Sequence, residues 1–180
     1  MRVACKHLVD GGYRELLYIT EPSKGVSSRR ERTAAFGACM TAHRPKVAGE
    51  VFESASDDGA ALDDALRALR KRSLRGQRTT AGKGAAVSAG NAVVTLRVAQ
   101  AMARLDLQFG RDIGFVGFDE PDWASLIGPG LSTISQPTEE IGRTAANCLI
   151  ERLQGLDAAP RQVLLQGELV VRGSSLRVAG

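Results

Sequence analysis

"GRDIGFVGFDEPDW", residues 110–123, decides the fold. From Asp112 to Phe118 the run is apolar on consecutive positions rather than alternate ones. That is the pattern of a strand covered on both faces, as in a parallel sheet flanked by helices. Beyond Phe118 the chain breaks into a bare carboxylate, Asp119, followed by Glu120, Pro121 and Trp123, the only tryptophan. Polar groups just past the carboxyl end of a buried strand are where open α/β sheets hold their ligands.

Strand and helix signals alternate on either side of this stretch. Residues 3–10 are predicted helical and stop at Gly11 and Gly12, and "LLYIT", residues 16–20, is a short apolar strand. A Ser-, Gly- and Pro-containing loop leads to a helix over 29–43, with Phe36, Cys39 and Met40 on one face. A weak strand over 47–52 precedes a helix over 58–72. "AAVSA", residues 85–89, is a strand, and a helix over 92–105 has Val94, Val98, Met102 and Leu105 in register. After the opening strand come "LSTIS", a helix over 137–153 striped by Ile141, Ala145, Cys148 and Leu149, and two closing strands, "QVLLQ" and "ELVV". The alternation predicts an α/β fold: a Rossmann-like, mainly parallel sheet with helices on both faces.

A chain of 180 residues suits one domain with a true core, since such chains bury roughly 70% of their unfolded surface. No apolar run approaches the roughly 20 residues of a membrane span, and "MRVACKHLVDGG" has charges where a signal peptide has its apolar centre. A soluble cytoplasmic protein with no membrane partner is expected. Cys5, Cys39 and Cys148 are odd in number, far apart and set in apolar helical patterns, so they read as reduced packing residues.

The net charge of +4 raises the question of nucleic acid, and its distribution answers it. Seven of the 24 basic residues fall between Arg67 and Lys83, after a helix with acids at its start and bases at its end, as the helix dipole favours. A solvated helix end accounts for the run; a phosphate patch is the other reading, without interleaved aromatics for stacking. Neither a helix-turn-helix nor a zinc-finger pattern is present, so the chain is not expected to read DNA sequence itself.

Three apolar strands end in polar groups at one expected sheet edge. "LLYIT" leads to Arg29, Arg30 and Arg32; "AAVSA" leads to Asn91; "DIGFVGF" leads to Asp119. A carboxylate accepts from hydroxyls, a carboxamide donates and accepts, and a guanidinium donates in a fixed fork. Together they suit a sugar or polyol, with room for an anionic group at the arginine, and Gly117 allows close approach. Each residue also has a simpler reading. Asp119 could cap the turn at Pro121, Asn91 the helix after it, and Arg32 could be a solvated base. It is the three equivalent strand ends that favour a site.

Enzyme chemistry has little to work with, and no cofactor or metal is expected. His7 and His43 lie on helices away from the strand ends, which leaves a Ser/His/Asp or metal-histidine arrangement without its parts. No G-x-S-x-G elbow occurs. "GKGAAV", residues 82–87, precedes a strand instead of following one and lacks the third glycine of a dinucleotide fingerprint; Gly82 and Gly84 read as loop residues.

Residues 111–155, "RDIGFVGFDEPDWASLIGPGLSTISQPTEEIGRTAANCLIERLQG", resemble the C-terminal part of the lac repressor and galactose repressor family of bacterial regulators. The family's run is a strand ending in Gly-Phe-Asp-Asp, a proline-containing stretch, Thr-Thr-Ile or similar, Gln-Pro and Ile-Gly. "HLVDGGYRELLYIT", "RTAAFGACM" and "VSAGN" match further pieces in the family's order and spacing.

The resemblance implies a periplasmic-binding-protein-like (type I) sensor domain, truncated, holding a small polar effector in an interlobe cleft and modulating operator binding. Its effector contacts carry over to Arg32, Asn91 and Asp119. Trp123 has three readings: cleft rim, homodimer contact or core. The resemblance further implies a C-terminal lobe over about 1–127, a segment of the N-terminal lobe over about 128–155 and a return over about 156–180. DNA would be bound only through a headpiece absent from this chain. The helix over 137–153 would then expose its stripe, favouring self-association or swapping, and effector binding would be weak or lost. Ala92 and Ala35 depart from the family's common Asp and Gly. The rival reading is a sugar-binding transport protein of the same fold.

Overall fold

The computed structural model describes residues 1–55, 58–75 and 84–177. Much of the basic run, with Arg78, Gly82 and Lys83, lies outside the described residues. The elements are α1 (Arg2–Asp10), β1 (Tyr13–Thr20), α2 (Ser27–Ala42), β2 (Ala48–Glu53), α3 (Gly59–Arg75), β3 (Gly84–Ala89), α4 (Ala92–Arg104) and β4 (Gly114–Phe118). A 3-10 turn at Asp122–Leu126, β5 (Ser132–Ser135), α5 (Thr138–Leu153), β6 (Glu168–Val170) and a 3-10 turn at Gly173–Ser175 follow.

The six strands form one sheet in the order β2-β1-β3-β4-β5-β6. All neighbours are parallel except β5 and β6. The Rossmann-like expectation therefore holds, and alternation within single strands explains it. Leu16 and Tyr18 of β1 pack with α1 and α2, through Leu8, Phe36 and Met40. Leu17 and Ile19 pack the opposite way with α3 and α4, through Leu62, Leu66, Val94 and Val98. With both faces loaded, each fully buried aliphatic side chain contributes about 1.5–3 kcal/mol.

One expectation meets a different outcome at the C-terminal end. Residues 162–166 form no strand, and Val163 and Leu164 are exposed. An apolar run becomes a strand only where an edge or a face takes it. The free edge of β5 is already paired by β6, through Ser135 opposite Glu168. The segment 128–155 contributes in two unlike ways: β5 is hydrogen-bonded to β4 within the sheet, whereas α5 has no buried residue.

Gly117 permits a close approach by α4. A Cβ there would lie 3.0 Å from the Thr95 hydroxyl. No helix among the described residues is long and apolar enough to cross a membrane.

Candidate functional site

Because β1, β3 and β4 are parallel neighbours, their carboxyl ends lie side by side. Each is followed by a polar residue within two positions: Glu21 after β1, Asn91 after β3 and Asp119 after β4. The first turns of α2 bring Arg29 and Arg32 to the same edge.

Asn91 sits in extended backbone as the N-cap of α4, and its Oδ1 accepts from the Val94 N–H at 2.9 Å. The capping reading is thus correct, and the side chain does more. Its Nδ2 donates to Glu21 Oε2 at 2.8 Å, and that same oxygen accepts from Arg29 Nη2 at 2.5 Å.

Asp119 adopts φ of 74°, the left-handed region that a side-chain-bearing residue enters at a cost. There its own N–H donates to the Ile134 carbonyl at 3.0 Å, while Oδ2 accepts from the Ala92 N–H at 3.2 Å and Oδ1 from the Gln136 amide. It does not cap the turn at Pro121, whose carbonyl accepts from Ala124 N–H.

Arg32 is no solvated helix base. Its Nη1 donates to the Gly90 carbonyl at 2.7 Å, and its guanidinium lies 3.8 Å from the centre of the Phe118 ring. Arg32, Asn91 and Asp119 are therefore brought together: the first holds the carbonyl just before Asn91, the third the amide just after it.

Trp123 stands apart. It is half-buried in the 3-10 turn and packs against the core cluster on the α3 and α4 side. A cleft of about 710 Å³ opens at the same sheet edge, lined by Arg32, Phe118, Ile134 and Gln136 and flanked by Ile141 and Leu164. Of the four residues picked from sequence, Arg32 lines this cleft directly; Asp119 is linked to it through Gln136.

Glu21, Arg97 and Gln136 escaped the sequence reading. Arg97 Nη1 donates to the Ser54 carbonyl at 3.3 Å, and its Nη2 lies 3.8 Å from Glu21 Oε1. Glu21 stood directly after "LLYIT", the position equivalent to the other two strand ends. Gln136 stood in the Gln-Pro pair that the resemblance had already used.

Glu120 diverges from its neighbour Asp119. It accepts from Arg172 Nη2 at 2.6 Å and Nη1 at 3.2 Å, and from the Thr133 hydroxyl. His7 Nε2 pairs with Ser175 Oγ at 2.8 Å, and that hydroxyl pairs with Ser132 Oγ at 2.7 Å. Ser175 is buried, so this chain of side chains ties α1 to the C-terminal turn and offers no exposed nucleophile. Burial lowers the His7 pKa below its ordinary value.

The rim thus gathers hydrogen-bond donors and acceptors at one sheet edge. Residues 5–175 match the profile of the periplasmic binding protein-like domain. The HTH-type transcriptional regulator PtxS of Pseudomonas aeruginosa is 37% identical over 172 residues, covering 96% of this chain and 47% of that protein. The chain thus spans about half the length of the first curated relatives it matches. Among solved structures, a dimeric Lac repressor with an 11-residue C-terminal deletion has a TM-score of 0.76 at 25% identity, over 98% of this chain and 60% of that one. A LacI family regulator of Enterococcus faecalis V583 with bound ribose has a TM-score of 0.75 at 19% identity, over 99% of this chain and 60% of that one. These relatives are transcriptional regulators, not enzymes, and the transport-protein reading is not favoured. The chain belongs to the periplasmic binding protein-like domain family, in the form carried by the LacI-type transcriptional regulators.

Proposed function

We propose that this chain is the ligand-sensing part of a bacterial DNA-binding transcriptional regulator, taking a small, sugar-like polar effector at the rim formed by Arg32, Asn91 and Asp119. The observation that carries the reading is the junction of those three residues at the ends of neighbouring parallel strands. Asp119 and Gln136 supply acceptor and donor for hydroxyls, Arg32 a donor fork, and Phe118 an apolar surface for a sugar face. The ribose carried by the Enterococcus regulator supports a sugar-sized ligand.

Trp123, packed against the core and outside the cleft lining, is given no contact with the effector in this reading. The whole regulator would act as a homodimer in the cytoplasm, as the dimeric Lac repressor suggests, and reach operator DNA through a separate headpiece. An effector favouring one arrangement of the lobes shifts its population by the difference in affinity. The effector is expected to bind this chain weakly, because one side of the cleft comes from the other lobe.

Amide chemical shifts of the labelled chain, followed while a panel of neutral and acidic sugars is added to tens of millimolar, test the reading. Concerted shifts at Gly90–Ala92 and Asp119 that vanish in Asp119→Ala are expected. Shifts confined to other surfaces, or none with any sugar, overturn it.

A further inference from the structure

Another cavity, of about 190 Å³, opens at the opposite end of the sheet from the rim, where β1, β3 and β4 begin. Tyr13, Gly84 and Gly114 line it, packed so closely that a Cβ at Gly114 would lie 2.2 Å from the Tyr13 ring. Three arginines join them: Arg70 from α3, Arg111 from the loop before β4 and Arg177 from the C-terminal segment. Asp112 is the one acid among the lining residues.

That acid is already committed. Asp112 Oδ1 accepts from Arg70 Nη2 at 2.7 Å, and Oδ2 accepts from the Gln108 N–H at 2.9 Å and lies 3.5 Å from Arg111 Nη2. Acids on the neighbouring elements are spent elsewhere: Glu15 and Glu50 face Arg72 at 3.6 and 3.1 Å, and Asp10 pairs with Lys6. Asp106, exposed in the loop after α4, is outside the lining. Three arginines against one carboxylate leave the cavity two positive charges in excess.

The donors are largely unused. Among the described residues Arg70 makes that single hydrogen bond, Arg111 makes none, and Arg177 makes one, to the Gly12 carbonyl at 3.4 Å. Arg177 has no carboxylate within 4.0 Å among the described residues. Its side chain nevertheless folds back over the sheet end. The guanidinium lies 6.0 Å from the centre of the Tyr13 ring and would stand 3.2 and 3.1 Å from Cβ atoms placed at Gly12 and Gly84. Like charges gathered round one small cavity repel, and an anion between them turns that repulsion into attraction.

We propose that this cavity binds a phosphoryl dianion, either free inorganic phosphate or the phosphate of a small metabolite, held by Arg70, Arg111 and Arg177. Two negative charges match the excess. Guanidinium forks take phosphate oxygens in paired bonds, and three of them serve a tetrahedral group on several sides where a planar carboxylate uses one. The bound anion ties α3, the loop before β4 and the C-terminal segment together, at the far ends of the strands that carry the rim.

Amide shifts of the labelled chain are followed at fixed ionic strength while inorganic phosphate, glycerol 3-phosphate, acetate or chloride is added. Saturating shifts at Gly84, Ala85 and Gly114 are expected with phosphate, about tenfold tighter than with acetate, while Gly90–Ala92 and Asp119 stay in place. Glycerol 3-phosphate binding at least as tightly assigns the site to phosphorylated metabolites; weaker or absent binding assigns it to the free ion. Arg111→Gln and Arg177→Gln, at exposed positions, should each weaken phosphate about fivefold or more without moving the melting temperature in phosphate-free buffer, and the double variant should lose it. Phosphate shifts no larger than those with chloride, equal binding of acetate, or unchanged phosphate affinity in the double variant overturns the proposal. So do phosphate shifts confined to Gly90–Ala92 and Asp119, which would put the anion at the rim.

Discussion

Glu21 and Asn91, 70 positions apart, are joined by a 2.8 Å hydrogen bond from carboxamide to carboxylate. The same oxygen takes Arg29, so one side chain ties the ends of β1 and β3 to the start of α2. Glu21→Gln is expected to cost about 1–3 kcal/mol, because two donors lose a charged acceptor in a partly buried setting. Asn91→Ala should cost about 1 kcal/mol more than a simple loss of that bond, since it also uncaps α4. Urea denaturation of both variants measures the difference; an unchanged midpoint for Glu21→Gln would refute the tie.

Tyr13 has a buried hydroxyl with no hydrogen-bond partner among the described residues, and burial pushes its pKa up to about 12. The unfolded chain ionises this phenol near pH 10, the folded one about two units higher. Stability therefore stays level below about pH 10 and falls between pH 10 and 12 as the unfolded state releases its proton first. Tyr13→Phe should be neutral or slightly stabilising at pH 7 and should flatten part of that alkaline limb. Melting temperatures across pH 8–11 read it directly.

His7 behaves with the opposite sign. Burial depresses its folded pKa, so the unfolded state takes up the proton first as pH falls below about 6.5. Stability is complete above that value and declines through the depressed folded pKa. His7→Gln, which retains a donor and acceptor for Ser175, is expected to weaken the decline between pH 7.5 and 5.5. A melting profile with the wild-type acid slope would count against the assignment.

Arg172 grips Glu120 with both Nη atoms and donates to the Leu131 carbonyl at 2.8 Å, locking the C-terminal turn to β5. Arg172→Ala leaves a half-buried carboxylate unpaired and should cost about 2–4 kcal/mol. The amides of Ser132 and Ser174 should lose protection first in hydrogen exchange; uniform loss across the sheet would point to a global effect instead.

Helix α5 has 16 residues and none buried. Isolated helices near that length are marginal in water, so its amides are expected to exchange close to unprotected rates. Leu149→Glu should change stability by less than about 0.5 kcal/mol and reduce self-association seen by sedimentation. Leu66→Ala, at a fully buried position of α3, should cost about 2–5 kcal/mol.

The architecture was legible wherever pattern and environment agreed. The unbroken apolar run 112–118 announced a doubly covered strand, and β4 is one. "QVLLQ" carries an equally apolar pattern and remains irregular, because pairing depends on a free edge that residue spacing cannot reveal. At the rim, the juxtaposition of Arg32, Asn91 and Asp119 was legible because all three follow from strand ends or the resemblance. Glu21 was hidden by its chemistry: an acid beside a loop looks solvated until three partners from distant segments converge on it. Trp123, the sole tryptophan, packs against the core cluster, one of the three readings its sequence position allowed.

Asp119 holds its left-handed backbone at the tip of a buried strand. A designer hunting thermostability would choose glycine there, relieving torsional strain of roughly 1 kcal/mol. That choice would erase the anion reaching α4 and Gln136, so heat tolerance and the proposed recognition of an effector pull this single codon in contrary directions.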